Sequence, residues 1–399
     1  MKRIGYLFII AATIVAACTS QDDIYKQFVV EGGHVYPAKA VNVQTVAGYQ
    51  RVTLSWEKPT DPSVYVSKLF WNNGADSVEV AYDAAGKATY TVTGLEDRSY
   101  TFYIVNYDKN NNRSLDYEVT ANPYGSSWLV SHSERTINGK YYGDSTVLVF
   151  GRATYEMISS RLVYMNTSGQ VVEYPELLLP EQNKIVLKDA QKGKKVLIKS
   201  TFKPEKGTDA VENTSWSPSN QGILYNLDVS GWTVTATANQ VQGTNTPDKI
   251  FDGLTDSGAG RYVSNNATAY RNIFPKILAI DTHAAEGKEP TIVNLDFYQH
   301  PLDGSYRFIR DVYLFIGSKP YDPDTQNFSA DYEGMVLKNT FPTSSVVQSV
   351  ALTRNNTGRY MALVFPNTYN STAYFIDLWE LVPFGYIEGD SDIPYPSFK

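Results

Sequence analysis

The sequence predicts an all-β protein assembled from several sandwich-type modules, and three observations lead there. Short runs rich in Val, Ile, Thr, Tyr and Phe recur between Gly, Pro, Asn and Asp turn residues along most of the chain. From Ile223 to Gly385 no helical period of useful length interrupts them. The text beginning at Ser67 is echoed at Ser160, an offset of 93 residues, close to the ~100 residues of a two-sheet sandwich. A chain of 399 residues has room for about two to four such modules.

The N-terminus is read first. Lys2 and Arg3 precede an apolar run from Tyr6 to Val15 and then "AACTS", the order of a signal peptide occupying residues 1–17. That run is shorter than the ~20 residues a membrane-spanning helix needs. Cys18 is the only cysteine and stands directly after Val15-Ala16-Ala17, which resembles the lipobox of bacterial lipoproteins. One thiol at that junction and none elsewhere points to lipidation rather than disulfide chemistry. Residues 18–40 then form a lipidated leader, whose Asp22 and Asp23 resemble the surface-export signal of lipoproteins in Bacteroides-like bacteria.

Residues 41–122 carry "YQRVTLSWEKP" and "SKLFWNNGADSVEVAY", with Asn73-Gly74 set between two β-rich runs as a hairpin turn. Trp56 early and Tyr100 late, at the place of a tyrosine corner, give this segment its resemblance to a fibronectin type III domain. Trp56 and Trp71 are assigned to its packing. Residues 123–203 repeat the pattern as a second fibronectin/immunoglobulin-like sandwich without the corner tyrosine. "SRLVYMNTSGQVVEY" stands for "SKLFWNNGADSVEVAY", and "KIVLKDAQKGKKVLIKSTF" for "YTVTGLEDRSYTFYIVNY". The polar stretch 204–222 reads as a linker by its Pro, Gly, Asn and Ser content, residues 223–386 as a third all-β module, and 387–399 as a loose tail.

Two wider resemblances follow from quoted motifs. "DDIYKQFVVEGGHVYPAKA" with "RVTLSWEKPTDPSVYVSKLFWNNGADSVEV" resembles a family of uncharacterised outer-membrane lipoproteins of Bacteroides-type bacteria. That resemblance implies a cell-surface protein working beside polysaccharide uptake proteins, held to the membrane by its lipid anchor. "PDKIFDGLTD", "NLDF", Arg359 to Leu363 and the closing "IDLWELVPFG" resemble the discoidin or coagulation-factor type C jelly roll, a group with many galactose-binding-like modules. The fold expected is thus two sandwiches followed by a discoidin-like jelly roll. The same resemblance implies one structural calcium ion held by the carbonyls of Lys249 and Leu254 and the carboxylates of Asp252 and Glu380. The Thr-x-Trp usual after the Asp-Gly turn is replaced by Gly260-Arg261-Tyr262.

Composition excludes other classes. A net charge of -7 leaves no basic footprint for nucleic acid. "DSG" at Asp256 to Gly258 has no second Asp-Ser/Thr-Gly to share a proton with, as an aspartic protease requires. The four histidines show no His-x-x-x-His spacing, and no Gly-x-Ser-x-Gly elbow is present. Sugar binding asks for aromatic faces and a few planar polar groups. The polar-aromatic segment from Arg261 to Lys276 and its neighbours supply Tyr262, Tyr270, Arg271, His283, His300 and Arg307 as candidate glycan ligands. The reading is non-catalytic carbohydrate binding. Its alternatives are an assembly lipoprotein that binds protein partners, and a glycoside hydrolase whose carboxyl pair, roughly 5 to 9.5 Å apart, the sequence does not mark.

Overall fold

The computed structural model describes residues 36–255, 260–270, 273–299, 308–326, 328, 334–341, 346–353, 356–369 and 375–396. The described chain is nearly all β, in antiparallel sheets, with one short α-helix at Ser126–Val130. It divides into two compact units, one holding the residues up to Ser131 together with Lys203–Val211, the other His132–Phe202 and Glu212 onward.

The first unit is a seven-stranded sandwich. β1 (Val41–Gly48), β2 (Arg51–Glu57) and β5 (Lys87–Thr93) form one sheet; β3 (Val66–Trp71), β4 (Asp76–Val80), β6 (Tyr100–Tyr107) and β7 (Tyr117–Ala121) form the other, in the order β4-β3-β6-β7. Strict alternation in β2 sends Val52, Leu54 and Trp56 inward, all fully buried. The indole N–H of Trp56 donates to Ser67 Oγ at 3.0 Å, and Ser67 and Tyr82 both donate to Asn106 Oδ1. Polar atoms enclosed between the sheets are thereby partnered, which is the condition for burying them. Tyr100 accepts the Glu96 N–H at 3.0 Å, the corner hydrogen bond its position predicts. Trp71 packs against the same core. β3 and β4 pair from Trp71 opposite Asp76, and Asn72, Asn73 and Gly74 all turn with positive φ.

The start of the polar stretch after Phe202 is held against this sandwich. Asp209 takes two N–H donors of Arg51 at 2.6 and 3.0 Å and the Tyr49 N–H at 2.7 Å, while its own N–H donates to the Tyr124 hydroxyl. The rest of the stretch continues as β14 (Val211–Glu212) and β15 (Ser217–Pro218), which join the second sandwich.

In the second unit β8 (Ile137–Tyr142), β9 (Ser145–Phe150) and β12 (Lys184–Leu187) face β10 (Met157–Met165), β11 (Val171–Glu173) and β13 (Leu197–Phe202) with the two short strands. The internal repeat has a topological meaning. β10 and β11 form a hairpin as β3 and β4 do, and β13 pairs β10 as β6 pairs β3.

The C-terminal part is a jelly roll of two five-stranded sheets. One is β16 (Tyr225–Asn226), β25 (Asp377–Ile387), β20 (Pro290–Gln299) and β23 (Val347–Ala351), with β18 (Tyr262–Val263) added to β25. The other runs β17 (Thr233–Ala236), β19 (Lys276–Asp281), β24 (Tyr360–Thr368), β21 (Ile309–Gly317), β22 (Met335–Thr340). Leu278, Ile280, Leu295, Phe297, Leu314, Leu363, Phe365, Leu378 and Leu381 fill the space between them. Trp379 on the closing strand is also buried.

The end of the chain, loose by composition, is tied down as far as it is described. Ile393 packs with Val163, Leu197 and Trp216, and Lys195 Nζ pairs with Glu388 and Asp392 at 2.7 and 3.1 Å. An apolar residue among charged neighbours supplied the anchor that composition does not register.

Candidate functional site

The Asp-Gly turn is built as a clasp. A 3-10 turn over Pro247–Phe251 ends at Asp252, and Gly253 follows at φ +80°, a left-handed conformation that favours glycine. Across the domain, 127 residues later, Glu380 Oε2 accepts the Gly253 N–H at 3.0 Å. Asp252 Oδ1 accepts the Leu254 N–H at 3.1 Å. Gly260 lies so close to the Asp252 carboxylate that a Cβ there would stand 2.0 Å from an oxygen, so a larger residue would displace that side chain.

Glu380 is 4% exposed. Burial pushes its carboxyl up to about 7; the Gly253 N–H opposes the rise and the neighbouring Asp252 charge adds to it. Among the described residues no cationic side chain pairs with it. Two carboxylates beside a turn, with no counter-charge, fit a hard cation that takes only oxygen ligands. Among the described residues no group of three or more His, Cys, Asp and Glu gathers there, so most further oxygens would have to be turn carbonyls, those of Lys249 and Leu254, or water.

The sugar-ligand candidates separate. Tyr262 is fully buried and its hydroxyl donates to the Gln240 carbonyl at 3.0 Å; burial raises its pKa, and it offers no face to a ligand. This corrects its reading as a loop aromatic: β18 draws it under the closing strand, and its hydroxyl finds a backbone partner inside. Tyr270 is half-buried, and its carbonyl accepts Lys276 Nζ at 3.1 Å. Lys276 is itself fully enclosed, donates to Gln240 Oε1 at 2.6 Å, and is pulled down to about 8 by burial. His283 is exposed at φ +53°, its Nε2 2.9 Å from Thr233 Oγ1 and its backbone N–H donating to Asp281.

Tyr270 precedes β19 and His283 follows it. Six strand residues at about 3.3 Å each put roughly 20 Å between the two, so one small sugar cannot touch both. Cys18, Arg271, His300 and Arg307, and the "DSG" triplet, lie outside the described residues.

The His283 end holds a concavity that sequence reasoning missed. Tyr225, Trp232, Asp228, Thr282 and Lys288 line a cavity of about 280 Å³. Trp232 is half-buried, its ring edge-on to Phe251 with centroids 5.5 Å apart. Lys288 forms an ion pair with Asp390 at the rim. The signal in the sequence is a Trp directly after the turn "DVSG".

Because the Glu380 carboxyl is raised above the 4.5 of an ordinary glutamate, the folded state holds a proton that the unfolded chain releases. Its stabilising contribution is complete below about pH 4.5 and is lost as pH rises through about 7. In chelator, wild-type stability is expected to fall between pH 5 and pH 8 by at most on the order of 3 kcal/mol, and Glu380→Gln to remove that part of the slope. Urea unfolding at both pH values checks this; parallel pH profiles of wild type and variant would refute the buried-carboxyl account.

Comparison with known proteins places these features among recorded sequences and folds. Residues 18–210 match the family model DUF4998, a domain of unknown function. No curated protein matches the chain. Among solved structures it is similar to a SusE-like protein, at 11% identity over 88% of this chain and 99% of that one, with a TM-score of 0.32. It is also similar to a family 32 carbohydrate-binding module of C. perfringens NanJ in complex with galactose, at 14% identity over 41% and 99%, TM-score 0.31. A third is a fucolectin from striped bass (Morone saxatilis) serum, at 11% identity over 74% and 84%, TM-score 0.32.

Proposed function

We propose that this chain binds carbohydrate without breaking it down, through its C-terminal jelly roll, as a lipid-anchored outer-membrane protein facing the cell exterior beside a polysaccharide uptake system. The cavity of Tyr225 and Trp232, rimmed by Asp228 and Lys288, carries the reading. Half-buried aromatic rings offer flat apolar faces to the C–H face of a pyranose, and the rim supplies a carboxylate acceptor and an ammonium donor for hydroxyls. A site of this size takes one or two sugar units, with affinity resting on stacking and a few hydrogen bonds.

A glycan array probed with residues 19–399 tests it. Wild type is expected to bind at least one polysaccharide, and Trp232→Ala and Lys288→Ala each to weaken that binding at least ten-fold while the protein stays folded. An array blank for wild type, or unchanged binding by both variants, refutes the reading.

Calcium in the clasp of Asp252 and Glu380 would act structurally, holding the turn to the closing strand. Its expected mark is a rise in melting temperature when calcium is added to chelated wild type at pH 8, lost in Asp252→Ala. A wild type indifferent to both chelator and calcium removes the ion.

The anchor rests on Cys18 and the apolar run before it. Cys18→Ser is expected to move the expressed protein from the membrane fraction to the aqueous one; a variant that still sediments with membranes contradicts lipidation at that residue.

A further inference from the structure

The geometry points to a second saccharide-binding groove, on the outer face of the four-stranded sheet of the first unit, selective for neutral sugars. It goes beyond the reading above, which concerns the C-terminal domain alone. Phe102 and Ile104 of β6 face the core, so Tyr103 and Val105 face outward. Phe70 of β3 lies directly opposite Tyr103, which brings the two rings side by side, with Cβ atoms about 5 Å apart. Val105, on that same outward face, is only 1% exposed. Beside it the outward face holds a depression of about 500 Å³.

Its walls are chemically mixed. Phe70 and Tyr103 form an aromatic floor over the enclosed Val105; Asn73 of the β3–β4 turn lies at one end, Arg113 and Asp116 at the other. Lys68 Nζ sits 5.4 Å from the Phe70 centroid and holds that ring's attitude. Arg113 Nη2 donates to Asp116 Oδ1 at 2.5 Å, which leaves further guanidinium N–H groups beside a second carboxylate oxygen. Among the described residues neither the Tyr103 hydroxyl nor the Asn73 amide makes a hydrogen bond within the protein.

That set selects a polyol. Each sugar hydroxyl both donates and accepts, and a donor fork next to a carboxylate oxygen meets two neighbouring hydroxyls at once. Of the lining residues Arg113 and Asp116 are charged and they pair with each other, so the lining itself carries no net charge; Lys68 stands outside it, over the Phe70 ring. Adjacent aromatic rings on a rigid sheet give the stacking surface, and the floor is concave where a flat protein epitope would not need it to be.

The test uses residues 19–399, which leave out the signal segment and Cys18, in affinity gel electrophoresis with amylopectin, mannan, galactan and xyloglucan, and with polygalacturonate as the acidic control. Phe70→Ala/Tyr103→Ala and, as a surface change that spares the sheet, Arg113→Ala are compared with wild type and Trp232→Ala. Expected is at least a ten-fold loss of affinity for one neutral polysaccharide in both groove variants, with that affinity retained in Trp232→Ala or lowered there only in part. Groove variants that match wild type on every neutral polysaccharide overturn the proposal, and if Trp232→Ala then loses binding the C-terminal reading still stands. Retardation of wild type by polygalacturonate alone, or by none of the five, also overturns it, and the latter outcome hands the groove to a protein partner.

Discussion

The hydrogen bond from Gly253 to Glu380 ties together parts of the jelly roll that nothing local could join. Glu380 stands on β25, the strand that pairs with β16, β18 and β20 and so closes one whole sheet. A carboxyl in that position leaves water, and backbone N–H groups of a turn that relies on the left-handed Gly253 offset only part of the cost. The strong rise of the Glu380 carboxyl follows from this placement.

Elsewhere the same rule governs polar groups that the sheets enclose. Lys276 is fully buried yet has a side-chain amide and a backbone carbonyl to donate to, and Tyr262 reaches the carbonyl of the same glutamine. Asp377 at the start of β25 is met by Arg261 at 3.3 Å. In the first unit Trp56, Ser67, Tyr82 and Asn106 share one network. Such networks add to the definition of one register, since a slip of one residue would leave every member unpaired. They also withdraw these residues from any ligand.

The rings of the two proposed sites belong to residues that the sheets only half cover. Phe70 and Tyr103 are turned outward by the alternation, whereas Trp232 shares the inward parity of Val234 and Ala236 and lines a cavity at the edge of the core. Each lies on or beside a strand, where a rigid backbone sets the ring's direction better than a long loop would. Polar side chains from the adjoining turns complete both concavities.

The sequence by itself determined the all-β class, the turn between β3 and β4, the corner role of Tyr100, the burial of Trp56 and the duplicated hairpin. Each of these is written in neighbouring residues: an alternation of two, an Asn-Gly pair, a Tyr a few positions after its partner. Tertiary structure decided which polar and aromatic residues are free. Tyr262, on β18, went inside, and Trp232, just before β17, to a cavity wall. The ligand candidates Tyr270 and His283 fell at opposite ends of β19, because a straight strand separates its two flanking loops. The physical reason is one of range. Whether a side chain meets solvent depends on strands far away in the chain, as Gly253 depends on Glu380, and pairing over such distances leaves no mark in the local text.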